Sequence, residues 1–258
     1  MGEPRPGDWL FDHDEKGQAF GNYITGIRMC PNDSMSKIVI LPLGVFNNLE
    51  MKLLKETANY ASIFFMLDVE LFGAVSDKVV PKDSRRERYY GDQLHTQYIL
   101  KHVLLENIPD STLSFIAITN KDLYPAEDWN FVFGQASLKK RVGVSSYRRY
   151  FEDQLDSTNF DTCFNRIIKT TTHELCHMFG LKHCRIYKCL VNGSNNMEEA
   201  DSKPLWLCPE CLAKLQNCIG FDLFERYDKL IEFFTENHMF TEANYYKKSK
   251  QLMLVQND

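Results

Sequence analysis

Apolar residues cluster into short continuous runs in the first half of the chain and into helical spacing in the second half. Lys37 to Val45 (Lys-Ile-Val-Ile-Leu-Pro-Leu-Gly-Val) predicts a buried strand that ends near Pro42. Asn48 can cap a helix running through Phe65, with Leu49, Leu53, Ala58, Ala61 and Phe65 near helical spacing. Met66 to Leu71 reads as a second strand, Val75 to Arg88 as a charged connector, and Gly91 to Asn107 as a helix. Leu113 to Thr119 predicts another buried strand, followed by a turn-like Asp122-Leu123-Tyr124-Pro125. Asn130 to Leu138 and Arg141 to Tyr147 read as a two-stranded ribbon around Lys139-Lys140. Asp161 to Gly180 reads as a long helix, stopped by a glycine that can adopt positive φ. Ser194 to Leu207 has the pattern of a loop, and Pro209 to Cys218, Leu223 to His238 and Glu242 to Leu254 predict three closing helices. Residues 1–35, rich in Gly, Pro and Asp, have no period and read as an irregular arm. With strands early and helices late, the class is α+β.

Composition narrows the function. The 258 residues are 44% apolar and 25% charged, the balance of a globular chain with a real core. A net charge of −5 argues against a nucleic-acid partner, which needs a basic surface. No apolar run follows Met1, and no stretch reaches the ~18 consecutive apolar residues of a membrane span. A soluble, intracellular, cytoplasmic protein is the expectation, and nothing in the chain sets its oligomeric state.

The chemistry concentrates in His173-Glu174-Leu175-Cys176-His177-Met178-Phe179-Gly180-Leu181-Lys182-His183. Two histidines four apart on a helix project from one face and can share a metal. Gly180 lets the chain fold back so that His183 becomes a third nitrogen ligand. Three protein ligands leave a fourth position open for water, the mark of a catalytic zinc site. Glu174 follows the first ligand and can sit beside the metal without binding it, where it can take a proton from the water and pass it to a leaving amine. Cys176 lies on another face and reads as a packed small residue.

Of eight cysteines, Cys184, Cys189, Cys208 and Cys211 crowd into 28 positions and include a C-x-x-C knuckle. Four thiolates form a closed, structural zinc site that would pin the loop after His183 against the helix beginning near Pro209. Cys30, Cys163 and Cys218 read as core or surface thiols. The expected cofactors are therefore two zinc ions, one catalytic and one structural.

On these residues the chain resembles the archaemetzincins, a metzincin-like family of zinc peptidases. The resemblance rests on His173-Glu174-x-x-His177-x-x-Gly180-x-x-His183-Cys184, then Cys189 and Cys208-x-x-Cys211, and extends to Asp122-Leu123-Tyr124-Pro125, to Trp129 through Leu138, and to Gly193 through Leu205. It spans about Ile38 to Tyr227 and looks closest to eukaryotic members. It implies a metzincin-like zincin fold: a twisted mixed sheet with a backing helix (Asn48–Phe65 or Gly91–Asn107) and an active-site helix, above a smaller zinc-stapled helical C-terminal part. The implied division is an arm at 1–35, an upper catalytic subdomain at 36–183 and a C-terminal subdomain at 184–258. Asn130 to Leu138 would hold an antiparallel edge strand able to bind an extended peptide. Val191 stands where the family places a methionine beneath the catalytic zinc, with Met197 offset by six positions.

The activity implied is hydrolysis of peptide bonds in a peptide or protein substrate. A catalytically weak zinc protein whose cysteine module and C-terminal helices bind a partner is the rival, and Glu174 speaks against it, because a binding module has no use for a carboxylate beside an open metal. A zinc-ribbon nucleic-acid binder lacks the basic stripe it would need.

Overall fold

A parallel strand buried on both faces must be apolar throughout, and this is how the run after Met35 folds. In the computed structural model, which describes residues 3–255, that run forms β1 (Lys37–Leu43), buried everywhere but its first residue. The first two residues of the arm and the last three of the C-terminal part lie outside the described residues. Two short helices, α1 (Trp9–Asp12) and α2 (Phe20–Ile24), punctuate the arm before β1.

Helix α3 (Asn48–Phe65) follows, capped by Asn47, one residue earlier than its apolar spacing predicts. Asn47 Oδ1 accepts from the Leu49 and Glu50 amides at 2.9 Å, and the Glu50 carboxylate accepts from the Asn47 amide at 2.8 Å, a reciprocal capping box. Met66, in the left-handed region at φ 53°, ends the helix and leads to β2 (Val69–Leu71), shorter than expected. The charged connector then folds into two 3-10 turns and β3 (Arg85–Arg88).

The helix expected over Gly91–Asn107 is corrected in its first part. Gly91–His95 is strand β4, antiparallel to β3 and parallel to β6 (Asp122–Tyr124), itself expected as a turn. Buried polar contacts outweigh the local period here: Gln93 Nε2 donates to Asp122 Oδ2 at 2.6 Å and to the Asn130 carbonyl at 3.0 Å, and Arg149 grips both Asp122 oxygens at 2.8 and 2.7 Å. Helix begins only at α4 (Thr96–Tyr98), continuing as a π turn over Ile99–Leu104 and a 3-10 turn over Leu105–Asn107.

Strand β5 (Thr112–Thr119) is buried along its whole length. β7 (Gly134–Ala136) and β8 (Val142–Ser146) form the expected ribbon, turning at Arg141 in the left-handed region. The main sheet has the order β2-β1-β5-β8-β7, parallel except for the antiparallel edge strand β7. Alternation along β1 and β5 divides the core. Ile38, Ile40, Ile116 and Ile118 join the cluster that includes α3 and the long helix α5 (Phe160–Met178), while Val39, Leu41, Phe115 and Ala117 meet Ile99, Leu100 and Leu104 on the other face. The fold is a mixed α/β arrangement, with helices on both faces of a twisted sheet.

Beyond α5, the predicted loop contains a short α6 (Met197–Ser202), followed by α7 (Pro209–Ile219), α8 (Leu223–Glu236) and α9 (Phe240–Val255). The Tyr60 ring of α3 sits 5.2 Å from Phe233 and 5.7 Å from Phe234 of α8, so the closing helices share the core under the sheet. Cys30 and Cys218 are disulfide-bonded, which corrects their reading as scattered thiols and ties the arm to α7. Among the described residues no helix is long and apolar enough to cross a membrane.

Gly180 ends the turn after α5 at φ +88°, and a Cβ there would lie 2.9 Å from both the Ile27 carbonyl oxygen and the Arg28 Cβ. Strain and collision act together, so Gly180→Ala is expected to lower stability by about 1–3 kcal/mol. Urea denaturation should show a lower midpoint with an unchanged slope; an alanine variant as stable as the wild type would contradict this account of the turn.

Candidate metal centre and its cleft

Four-residue spacing places Lys169, His173 and His177 along one face of α5. His173 and His177 are buried, with their Nε2 atoms 3.0 Å apart. The turn at Gly180 returns the chain, and His183 joins them, with ring centroids 5.3 Å from His173 and 4.8 Å from His177. One nitrogen from each of the three rings lies within 4.8 Å of the others, a group that could hold a metal ion.

The other nitrogen of every ring is tethered. His173 Nδ1 donates to the Leu190 carbonyl at 2.9 Å, His177 Nδ1 to the Leu181 carbonyl at 2.6 Å, and His183 Nδ1 to the Glu15 carboxylate at 2.8 and 2.9 Å. Such tethers fix the tautomer and leave each Nε2 lone pair available. Burial also disfavours the imidazolium, taking His173 well below its ordinary value and His177 down to about 3. Two imidazoles held neutral by burial and a third oriented by a carboxylate make a nitrogen set that suits zinc.

Glu15 escaped the sequence reading. It lies in an arm without periodicity, where one acidic residue among several carries no signal. The structure wraps this arm onto the site. Gln18 Nε2 donates to the Gly180 carbonyl at 2.9 Å, and Gln18 Oε1 accepts from the Lys182 amide at 3.2 Å. The Trp9 ring lies over Gly193 so closely that a Cβ there would come within 2.3 Å of it.

Glu174 is buried beside the imidazoles, under the edge strand β7. A Cβ on Gly134 would fall 2.7 to 2.9 Å from atoms of its carboxyl arm, so glycine is what lets the strand pass this close. Burial pushes the Glu174 carboxyl up to about 8, against a smaller opposing pull from Lys203. Glu174 and the three histidines line a cleft of about 1300 Å³, walled by the arm, by Pro125–Ala136, by α5 and by Ser194–Lys203.

Below His173 runs the turn Cys189–Asn192, closed by the Asn192 amide donating to the Cys189 carbonyl at 3.1 Å. Val191 is fully buried in it, while Met197 lies in the cleft wall. Cys184, Cys189, Cys208 and Cys211 converge as a second group that could hold a metal, their sulfurs within 4.8 Å of one another. Cys208 caps α7 and Cys211 lies in its first turn. Thiol hydrogen bonds from Cys189, Cys208 and Cys211 favour a thiolate at Cys184. Cys163 and Cys176 are buried elsewhere in the core, apart from both groups.

Three histidines that could hold a metal, gathered in a cleft beneath an antiparallel edge strand with a buried carboxylate beside them, are a donor set suited to metal-assisted hydrolysis. Residues 92–217 match Peptidase family M54. The chain is similar to archaemetzincin-2 of Homo sapiens, 36% identical over 88% of this chain and 71% of that one, and to archaemetzincin-1 of Homo sapiens, 31% identical over 86% and 51%. Among solved structures, it is similar to archaemetzincin from Archaeoglobus fulgidus complexed with malonate (TM-score 0.55, 31% identical, 69% of this chain and 99% of that one). Archaemetzincin from Methanopyrus kandleri is also similar (TM-score 0.58, 25% identical, 72% and 97%). The chain belongs to the archaemetzincin family and is a zinc metallopeptidase, hence a hydrolase.

If Glu15 orients His183, Glu15→Ala should weaken zinc binding at the three-histidine group about 10–100-fold. Competition against a chromophoric chelator reads this directly; unchanged affinity would show that the carboxylate contributes nothing to the site.

Proposed function

We propose that the chain hydrolyses peptide bonds with zinc held by His173, His177 and His183, and that Glu174 serves first as general base and then as general acid. The observation that carries this reading is the set of three Nδ1 tethers, which turns the three Nε2 atoms toward one another on the floor of a cleft large enough for a peptide. Zinc in this site would polarise the scissile carbonyl and acidify a water molecule. Glu174 takes the proton of that attacking water and delivers it to the leaving amine. Burial of its carboxyl favours the protonated form, which helps the delivery half of that cycle. An extended substrate pairs along the free edge of β7 as an added strand, which lays its backbone across Glu174. The substrate is a peptide or protein; the net charge of −5 speaks against nucleic acid.

Cys184, Cys189, Cys208 and Cys211 hold a second zinc in a closed, structural site, making two ions per chain. The architecture is metzincin-like, with α3 as backing helix and α5 as active-site helix. An arm at 1–35 and an upper catalytic subdomain at 36–183 precede a C-terminal subdomain at 184–258. Val191 fills the apolar floor where the family carries methionine. Six cysteines outside the disulfide are reduced, which fits a cytoplasmic setting, while the Cys30–Cys218 bridge pulls the other way.

Replacing Glu174 with glutamine keeps shape and removes the proton transfer. Turnover of a peptide library by Glu174→Gln should fall ~10²–10⁴-fold with both zinc ions retained; a zinc-replete variant at the wild-type rate would place the base elsewhere. The two metals should also divide by role. Cys208→Ser is expected to lower the melting temperature, whereas His183→Ala should chiefly lower activity. Melts that rank the two variants in the opposite order would reverse the assignment.

A further inference from the structure

We infer that Lys169 and Lys203 form a carboxylate-binding subsite in the cleft beside the three histidines, which selects peptides carrying a carboxylate near the scissile bond. The inference rests on the peptidase reading and adds a substrate class to it.

Lys169 lies one helical turn before His173 on the same face of α5, and Lys203 follows α6; both line the cleft. Lys203 Nζ donates to the Asn192 carbonyl and to Ser194 Oγ, each at 3.0 Å. Lys169 Nζ donates to the carbonyls of Ala200 and Asp201, each at 3.3 Å. Every one of these acceptors is neutral. Among the described residues neither ammonium has a carboxylate within ion-pair distance.

Of the nearby acids, Asp201 and Glu199 are engaged elsewhere, while Glu174 and Glu242 act on the two lysines only from beyond ion-pair distance. The Asp201 carboxylate is held by Arg166 at 2.9 and 2.7 Å, and the Glu199 carboxylate accepts from the backbone amides of Trp9 and Asn195 at 2.9 and 2.8 Å. The contrast on α5 is informative, because Arg166 has its own counter-ion and Lys169, about one turn further along, does not.

An ammonium has three donors, and each of these lysines commits two to the protein. Burying such a charge without a counter-ion is costly. Burial accordingly lowers Lys169 and takes Lys203 down to about 8, with the charge of Glu174 only partly offsetting the latter. An arriving carboxylate would take up the remaining donors in charge-assisted hydrogen bonds and supply the missing counter-charge. In a peptide that carboxylate is either the C-terminal one or an Asp or Glu side chain.

The test separates binding from turnover. The zinc-loaded protein, with Glu174 intact, is titrated by calorimetry with four versions of one peptide whose scissile amide is replaced by a non-hydrolysable methylene-amine: free-acid or amidated C-terminus, each with an internal Glu or Gln. One carboxylate should bind about tenfold or more tightly than its neutral counterpart, and the arm that shows the preference identifies its source. The preference should collapse in Lys203→Gln and Lys169→Gln, which retain polar side chains for the Asn192 and α6 contacts, with zinc content and near-ultraviolet circular dichroism unchanged. Equal affinities in both arms, or a preference that survives both substitutions, would overturn the subsite. A carboxylate preference in a protein whose wild type cleaves nothing would instead sustain the subsite and refute the hydrolysis.

Discussion

Two histidines a turn apart on a helix share a face, but nothing in the helix aims their lone pairs at one point. The aim comes from the hydrogen bond on the opposite side of each ring. Here those bonds come from three separate segments: the turn containing Leu190, the return of the chain at Leu181, and the N-terminal arm through Glu15. Without them each imidazole would be free to rotate or to change tautomer. Much of the surrounding structure can be understood as what holds those three acceptors in place.

The cysteine cluster is part of that support. Cys184 follows His183 directly, and Cys189 precedes Leu190. A metal on the four thiolates would thus clamp the chain next to the third imidazole and next to the carbonyl that orients the first. Cys208 N–H donates to Cys189 Sγ at 3.2 Å, and the Leu190 amide donates to the Trp206 carbonyl at 2.9 Å, so the start of α7 and the Leu190 turn form one unit. Such a metal would be structural in position, yet its loss would be felt at the three histidines. From above, β7 reaches the same centre, with Gly134 giving Glu174 room against the sheet edge.

Much of this was legible in the sequence because it follows local rules. The apolar runs of β1 and β5, the long amphipathic α5 and the three closing helices announce themselves by period. The histidine and cysteine spacings mark two groups that the fold does gather so that each could hold a metal, and the resemblance they carry matches the family found by comparison. The misses share a physical cause: they depend on partners distant in the chain. Leu94, Tyr98, Val103 and Leu104 give Gly91–Asn107 the spacing of a helix, but Gln93 finds Asp122 and Asn130 and Gly91–His95 becomes a strand. Asp122, in a segment that looked like a turn, is a buried carboxylate answering Arg149. Glu15 and His183 are 168 positions apart, and Cys30 and Cys218 are 188 apart, separations over which no local pattern operates.

The central claim is that three tethered imidazoles hold an open zinc while four thiolates hold a closed one. A zinc-edge anomalous difference map from crystals of the zinc-loaded protein tests it most directly. The account predicts two peaks, one about 2.0–2.1 Å from the Nε2 atoms of His173, His177 and His183 with a non-protein ligand completing its shell, and one about 2.3 Å from all four sulfurs. A single peak at the thiolates, or a peak at the histidines whose fourth ligand is a protein side chain, would contradict it.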